Sequence, residues 1–221
     1  MDCIYKEYCG LFGSDSCSTS CIRYKEIKYL LEHSLIPKSR QVIQKMSTPN
    51  TDREEYATLD KISRNMNTFV ERGMNLVIWS ENVGNGKTSW AIKLILAYFD
   101  KIWAGNGLKP RAMFINIPEY LNRVKASMNF NDDGLEEIQL NIKDIDLLVL
   151  DDIGATRMSE YDLSLLNSII DSRYLNSKST IYTTNLSQEQ LKPIIGIRLC
   201  DRMFKCSKVV HFNSHSMRSM L

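Results

Sequence analysis

No stretch of this sequence is apolar enough to cross a membrane. The longest apolar run, WAIKLILAYF, is interrupted by Lys93, and it is far shorter than the roughly 20 residues that a transmembrane helix needs. The first ten residues, MDCIYKEYCG, lack the basic segment followed by an apolar core that marks a signal peptide. We therefore expect a cytoplasmic protein that makes no membrane contact.

The chain also lacks a strong charge of either sign. A net charge of +2 is too small for a protein that binds nucleic acid by charge alone. The charge is unevenly placed, since residues 131–152 hold eight acids and one base, whereas residues 186–221 hold six Lys or Arg and two acids. The basic C-terminal segment is either a surface for phosphates or an acidic neighbour, or an ordinary solvated surface.

Disulfide bonds are not expected either, because cytoplasmic thiols stay reduced. Four of the six cysteines lie near the start of the chain: Cys3, Cys9, Cys17 and Cys21. Cysteine thiolates are common Zn²⁺ ligands, and the C-x₃-C spacing of the last two fits a zinc site. We predict that residues 1–46 form a small zinc-binding N-terminal region, and that residues 47–55 are a polar linker.

Beyond that linker, apolar runs alternate with helical patterns, which is typical of a parallel sheet covered on both faces. Five runs are predicted as strands: 75–80, 111–117, 146–151, 180–185 and 208–213. Helices are expected to begin near Lys87, Pro118, Ser159 and Ser187. Two further helices are predicted from apolar spacing, over 22–36 (Ile27, Leu30, Leu31, Leu35) and over 56–69 (Tyr56, Leu59, Ile62, Met66, Phe69). The fold class is a three-layer α/β sandwich with a parallel five-stranded sheet.

A glycine-rich segment, ENVGNGKTSW, connects the first strand to an apolar helix. Such a turn points backbone N–H groups and the positive end of the helix dipole at one spot, which is suited to binding phosphate. The predicted ATP-binding residues are Gly84, Asn85, Gly86, Lys87, Thr88 and Ser89. Lys87 would reach the β- and γ-phosphates, and the Thr88 hydroxyl would bind Mg²⁺. Glu81 stands where this motif usually has its first glycine, and its carboxylate would repel phosphate unless it points outward.

The run LLVLDDIG supplies the expected partner of that loop. A buried strand ending in two carboxylates places Asp151 at the carboxyl edge of the sheet, where it can hold the Mg²⁺ shell. Asp152 takes the position of the general base that orients the attacking water, although many such ATPases have Glu there. Asn185 ends a further predicted strand. In the folded protein it would lie between these two motifs, where it can polarise that water.

Taken together, GNGKT, LLVLDDIG, TTN, G-x-R-x-x-DRM and the closing MR resemble the AAA+ helicase loaders of the DnaC and DnaI type, including phage-encoded relatives. The resemblance covers roughly residues 56–221. It implies an AAA+ P-loop ATPase that binds ATP or ADP, self-assembles through its ATP site, and loads a hexameric DnaB-type replicative helicase onto single-stranded DNA. Only 36 residues follow Asn185, too few for a full helical lid and a final strand, so we expect a lidless core.

The resemblance also assigns roles to three arginines. In that family the arginine of DRM, here Arg202, reaches the ATP of the neighbouring subunit. Arg198, one helical turn earlier, is the second candidate for that role, and Arg218 corresponds to the arginine that senses nucleotide in its own subunit. A planar, permanently charged guanidinium suits such contacts.

DNA and helicase contacts are implied in the same way. The family binds single-stranded DNA through an aromatic residue before the LLVLDD strand, here Phe130, and through a Ser-x-Tyr after it, here Ser159 and Tyr161. Stacking on an aromatic ring binds bases regardless of sequence. The zinc-binding N-terminal part of DnaI-like loaders grips the helicase, so the helix over 22–36 would belong to the docking surface.

Three alternatives share part of the pattern. An IstB-like transposition helper has nearly the same AAA+ motifs but needs no cysteine module. A P-loop kinase would lack the combination of DDIG, TTN and DRM. An adaptor that binds ATP with little hydrolysis is compatible with Glu81 and Asp152, and steady-state turnover would separate it from the loader.

Overall fold

The computed structural model describes residues 3–7, 9–43, 46–102, 108–128 and 131–216. Two of the predicted site residues, Phe130 and Arg218, lie outside these ranges. Within the described residues, no helix is both long and apolar enough to pass through a bilayer.

Five parallel strands form one sheet with the order β2-β3-β4-β1-β5. The strands are β1 (Asn75–Trp79), β2 (Ala112–Asn116), β3 (Leu147–Asp151), β4 (Ser179–Thr184) and β5 (Ser207–His211). Each lies within two residues of its predicted limits, because continuous apolar runs are a strong signal for strands buried on both faces. The placement of β4 between β3 and β1 brings the ends of three motif-bearing strands together.

Nine α-helices are found among the described residues. They are α1 (Ile22–Glu32), α2 (Arg53–Arg64), α3 (Met66–Glu71), α4 (Lys87–Lys101), α5 (Ile117–Ser127), α6 (Asp133–Asn141), α7 (Glu160–Leu175), α8 (Gln188–Ile195) and α9 (Ile197–Lys205). Helix starts agree with the sequence signals: Ser159 and Ser187 are N-caps of α7 and α8, each in a capping box. After β4 the described residues form α8, α9 and β5.

The helices cover the two faces of the sheet in separate layers. Alternate side chains of a strand point to opposite faces, so Val149 of β3 packs with α1 to α4, whereas Leu148 and Leu150 pack with α5 to α9. The sheet is therefore the middle of a three-layer sandwich, as predicted.

The N-terminal helix α1 is attached to this sandwich rather than separate from it. Its residues Ile27, Leu30 and Leu31 belong to the same core cluster as the apolar face of α4. Arg23 donates hydrogen bonds of 2.8–2.9 Å to three carbonyls at the end of α4, those of Phe99, Asp100 and Ile102. The carbonyl of Ser34 also accepts from the backbone N–H of Phe114 in β2 at 2.8 Å.

Two helix predictions need correction. Helix α1 ends at Glu32, and Leu35 is 39% exposed with a φ of 59°, so it does not continue the apolar face. The single helix expected over 56–69 is two helices, α2 and α3, separated by Asn65. The Asn65 amide donates to the carbonyl of Lys61 at 2.8 Å, a local bond that competes with continuing the helix.

Candidate nucleotide-binding site

The glycine-rich loop runs from the end of β1 to the first turn of α4. Gly84 and Gly86 have φ values of 76° and 94°, which favour glycine because a Cβ is unfavourable there. Gly86 is the N-cap of α4 and makes no side-chain cap, so the N–H groups of the first turn remain available to an anion. Glu81 is exposed, so its carboxylate lies on the solvent side of the loop.

Lys87 is folded into this loop and is only 6% exposed. Its Nζ donates to the carbonyls of Asn82 (2.8 Å) and Ser80 (3.4 Å), and to Oδ1 of Asn85 (3.1 Å). The Asn85 amide in turn donates to Oγ of Ser80 at 2.6 Å. The ammonium group is thus held at the centre of the loop by neutral acceptors, which phosphate oxygens can replace.

Asp151 lies beside the loop and is 2% exposed. Its Oδ1 accepts hydrogen bonds from the hydroxyls of Thr88 (3.0 Å) and Thr183 (2.6 Å). Burial raises the pKa of Asp151, the nearby Asp152 charge raises it further, and the two hydroxyl donors partly offset both. A carboxylate and a hydroxyl this close to a phosphate-binding loop are the oxygen ligands that Mg²⁺ prefers, so the residues fit the predicted ion.

Thr183 is a member of this site that the sequence analysis did not identify. Besides its bond to Asp151, its Oγ1 accepts from the backbone N–H of Asp152 at 3.0 Å, and its carbonyl accepts from the N–H of Ile153. The only sequence signal for Thr183 is its place in the TTN run. That signal is not sufficient, because the register between strands decides which residue faces Asp151. Thr183 thereby orients both acidic residues at the end of β3.

The predicted water-orienting residues come to the same edge of the sheet. Asp152 follows β3 directly and has a φ of 60°, a backbone conformation that is uncommon for residues other than glycine. Asn185 follows β4, the strand between β3 and β1. Ser89 lies partly buried on the first turn of α4. The structure therefore gathers the loop, Asp151, Asp152 and Asn185 at one edge.

Arg198 and Arg202 lie elsewhere, on α9, and share one partner. Arg198 donates to Oδ2 of Asp171 at 3.0 Å, and Arg202 forms an ion pair with Oδ1 of the same carboxylate. The guanidinium of Arg202 also lies over the ring of Tyr174, 5.8 Å from its centroid. Arg198 is the more exposed of the two, with 73% of its side chain accessible against 21% for Arg202.

The residues predicted to contact DNA are placed at the start of α7. Ser159 caps the helix by accepting from the N–H of Asp162, so its hydroxyl has a structural partner. Tyr161 is 51% exposed on the first turn. Phe130 lies outside the described residues, so the complete DNA-binding set stays a prediction.

The predicted zinc site is not supported. All four N-terminal cysteines are free thiols, and Cys9 and Cys21 are exposed. The segment that carries them forms successive turns, in which the N–H groups of Cys9, Cys17 and Cys21 bond to carbonyls three or four residues earlier. Among the described residues, no group of three or more His, Cys, Asp or Glu is placed to hold a metal ion. The described residues therefore show no arrangement of these thiols that could bind a metal ion.

Comparison with known proteins places this site in a family. The family model for IstB-like ATP binding proteins matches residues 30–220. The replicative helicase loader DnaC of Buchnera aphidicola (subsp. Baizongia pistaciae) is 33% identical over 92 residues, and that of Escherichia coli K12 is 32% identical over 110 residues. The alignments cover 41% and 48% of this chain, and 37% and 44% of the two relatives. The chain thus matches less than half the length of these curated proteins.

Solved structures share the fold. The DnaC helicase loader superposes with a TM-score of 0.63 at 24% identity, over 76% of this chain and 94% of that one. The corresponding values for DnaI are 0.64 and 16%, over 84% and 95%. The replication initiator DnaA bound to AMPPCP and single-stranded DNA gives 0.61 and 17%, over 76% and 48%. These likenesses establish the fold alone, a parallel five-stranded α/β sandwich.

Proposed function

Because the chain belongs to the family of IstB-like ATP-binding proteins, we propose that it is an ATP-dependent loader of a ring-shaped replicative helicase. The observation that carries the proposal is the arrangement of Lys87, Thr88 and Asp151 at one edge of the sheet, within a sequence that matches DnaC loaders. Its partners would be a hexameric DnaB-type helicase and single-stranded DNA.

Nucleotide binding follows from the loop. Phosphate oxygens of ATP would replace the carbonyls that now accept from Lys87, and the N–H groups at the start of α4 would complete the phosphate site. Thr88 and Asp151 would hold Mg²⁺, which neutralises charge on the phosphates. Binding of the ion would favour ionised Asp151, whose pKa burial raises in the protein alone.

Hydrolysis would use groups from two subunits. Asp152 and Asn185 would orient the attacking water at the end of the sheet, and Arg202 or Arg198 of a neighbouring copy would stabilise the charge that develops on the phosphate. Arg218 would contact the nucleotide of its own subunit. This division requires the protein to self-assemble through its ATP site.

DNA contact is assigned to Phe130, Ser159 and Tyr161. The exposed Tyr161 ring is available for base stacking, which would bind single strands without sequence preference. The Ser159 hydroxyl already caps α7, so its contribution would come from the start of the helix that it orders.

The proposal is tested by mixing the purified protein with candidate hexameric helicases, with and without MgATP. We expect a stable complex with the cognate helicase and ATP-dependent transfer of that helicase to single-stranded DNA. Lys87→Ala is the matched control, because it leaves the surface unchanged and removes the phosphate contact. If no helicase is bound under conditions where MgATP is, the loader function is wrong even though the nucleotide site is right.

The family match supports one second candidate, an IstB-like transposition helper. The AAA+ motifs serve both functions, so the partner decides between them. A helper would bind a transposase and double-stranded DNA in the same mixing experiment and ignore the helicases. An adaptor with little hydrolysis would bind the helicase but show no steady-state ATP turnover.

A further inference from the structure

The linker predicted over 47–55 contains a fully buried carboxylate. Asp52 is 0% exposed and stands at the N-cap position of α2. An aspartate at an N-cap normally accepts from the N–H groups of its own helix, but the Asp52 side chain makes no such bond. Its oxygens point to a different part of the chain.

Both oxygens of Asp52 bind the segment that follows β5. Oδ1 accepts from the backbone N–H of Asn213 at 2.8 Å, and Oδ2 accepts from that of Ser214 at 3.1 Å. These two contacts join residues more than 150 positions apart. Hydrogen bonds to an ionised carboxylate are stronger than neutral ones, particularly where water is excluded. Asp52 therefore fixes the backbone of this segment.

The same segment holds the nucleotide loop. The Asn82 amide donates to the carbonyls of Asn213 and Ser214, both at 3.2 Å, and the Asn85 amide donates to that of Ser214 at 3.5 Å. Asn82 and Asn85 are also two of the residues that accept from Lys87. A continuous series of hydrogen bonds thus runs from the linker through residues 213–214 to the lysine of the loop.

Three buried aromatic rings pack close to these hydrogen bonds and join the segments that form them. Tyr56, one turn after Asp52, lies 5.3 Å from the ring of Phe212 and 5.1 Å from that of Trp90, centroid to centroid. All three rings are at most 3% exposed. The start of α2, the end of β5 and the first turn of α4 are therefore packed on one buried aromatic cluster, so a displacement of one is expected to affect the others.

We propose that Asp52 is a positioning residue for the nucleotide loop: it holds residues 213–214 where their carbonyls fix Asn82 and Asn85, so that the linker sets the affinity for MgATP. The inference rests on the proposed role of the loop as the ATP site. It gives the linker a function beyond joining two regions, because a partner that pulls on residues 47–55 would change nucleotide affinity through Asp52.

The test compares Asp52→Asn with Asp146→Asn in the full chain. Asparagine keeps the size of the side chain but turns an N–H group toward one of the two backbone donors. Asp146 is also an aspartate with several partners, but it lies at the amino end of β3, away from the loop. Binding of a fluorescent MgATP analogue and hydrogen exchange of residues 81–86 without nucleotide are measured for both.

We expect Asp52→Asn to weaken MgATP binding by about tenfold, the effect of one lost charge-assisted hydrogen bond. It should also speed exchange in the loop, whereas Asp146→Asn should do neither. In a double-mutant cycle, Asp52→Asn should add little to Asn82→Ala, because both changes break the same series. Unchanged loop exchange and unchanged affinity in Asp52→Asn, or full additivity in the cycle, would overturn the proposal.

Two further outcomes separate this inference from the proposed function. If the wild type does not bind MgATP but Asp52→Asn still speeds loop exchange, the positioning role holds and the ATP site is wrong. If Asp52→Asn does not fold, Asn82→Ala replaces it, since Asn82 lies on the partly exposed loop. Faster exchange at residues 213–214 in that variant supports the link, and unchanged exchange contradicts it.

Discussion

The two edges of the sheet both carry charged side chains, but their partners differ. At the carboxyl edge Asp151 is bonded to the hydroxyls of Thr88 and Thr183, and Lys87 to neutral acceptors of its loop. At the amino edge Asp146 pairs with two cations, the Nε of Arg111 at 2.6 Å and the Nζ of Lys178 at 3.2 Å.

The amino edge also contains a fully buried arginine. Arg173 is 1% exposed and donates to the carbonyls of Ile142 (3.0 Å), Ile145 (2.8 Å) and Ser179 (2.5 Å). Burial lowers its pKa to about 10, so it stays charged at neutral pH. The charged groups at the amino edge are paired with other groups of the protein. At the carboxyl edge, Lys87 donates to neutral acceptors that phosphate oxygens can replace. A buried charge is therefore informative about function only when its partners are known.

The difference between the two edges would have a clear exception if an arginine from the amino half of the molecule served an ATP site. Arg202 lies in the half of α9 nearer the start of β5, away from its own loop. We expect Arg202→Ala to retain MgATP binding and lose about a thousandfold or more in ATPase rate in the assembly, the range for an arginine supplied in trans. Steady-state ATPase measurements check this.

Mixing provides the control for that prediction. Arg202→Ala and Lys87→Ala subunits together should recover part of the activity, because one interface then pairs an intact loop with an intact arginine. Mixtures that stay inactive, while subunits demonstrably exchange and the wild type is active, would remove the support for a shared site.

Lysines at the two edges give the next contrast. Lys87→Ala should weaken MgATP binding by about a hundredfold or more with a much smaller effect on the melting temperature, because the loop oxygens to which its ammonium donates are neutral, and a neutral acceptor that loses its donor costs less than a buried charge that loses its partner. Lys178→Ala, which removes a partner of Asp146, should leave affinity unchanged. Fluorescent-ATP titration of both variants decides the matter, and equal affinities would invalidate the nucleotide site.

Arg173 should show the reverse pattern. Arg173→Ala leaves several carbonyls without their donor in the core, so we expect a loss of about 3 kcal/mol in unfolding free energy. The folded fraction should bind MgATP as the wild type does. Urea denaturation measures the first effect and titration below the transition measures the second. A stable variant with impaired binding would contradict the division between the two edges.

Asp151→Asn is expected to give a small change in stability, opposite in sign to that of Arg173→Ala. The pKa of Asp151 is raised in the folded protein, so folding favours the protonated carboxyl over the ionised one. The stability that the protonated side chain contributes at pH values below the unfolded pKa is therefore lost as the pH rises through the folded pKa. Asparagine can keep both threonine bonds through its oxygen, so the variant should be slightly more stable at pH 7 without Mg²⁺.

The difference in stability should shrink as pH falls toward 3.8, the ordinary value for this carboxyl group. Added Mg²⁺ with ATP should raise the melting temperature of the wild type and not that of the variant. Thermal unfolding of both proteins across this pH range is the measurement. If the stability of the variant relative to the wild type is lower at pH 7 than at pH 4, burial does not disfavour the charge of Asp151.

The five strands, and the motifs that follow β1, β3 and β4, can be predicted from the sequence alone. Apolar runs on both faces require burial, and a glycine-rich turn before a helix requires an anion or water at its N–H groups. Lys87, Thr88 and Asp151 could therefore be predicted as neighbours of a phosphate site before any fold was known, and the structure brings them together. The described residues do not support the predicted zinc site, and cysteine spacing along a chain does not by itself fix the distances between thiols.

Which residues of distant segments come into contact depends on the tertiary structure. Thr183 reaches Asp151 because the register between β3 and β4 places its hydroxyl there, and no local pattern encodes register between strands joined by a helix. In the sequence Asp52 belongs to the polar linker over 47–55. Its contact with residues 213–214 exists because α2 and the end of β5 pack on the same aromatic cluster. Short-range signals fix elements and motifs, whereas burial of their shared faces decides the contacts between them.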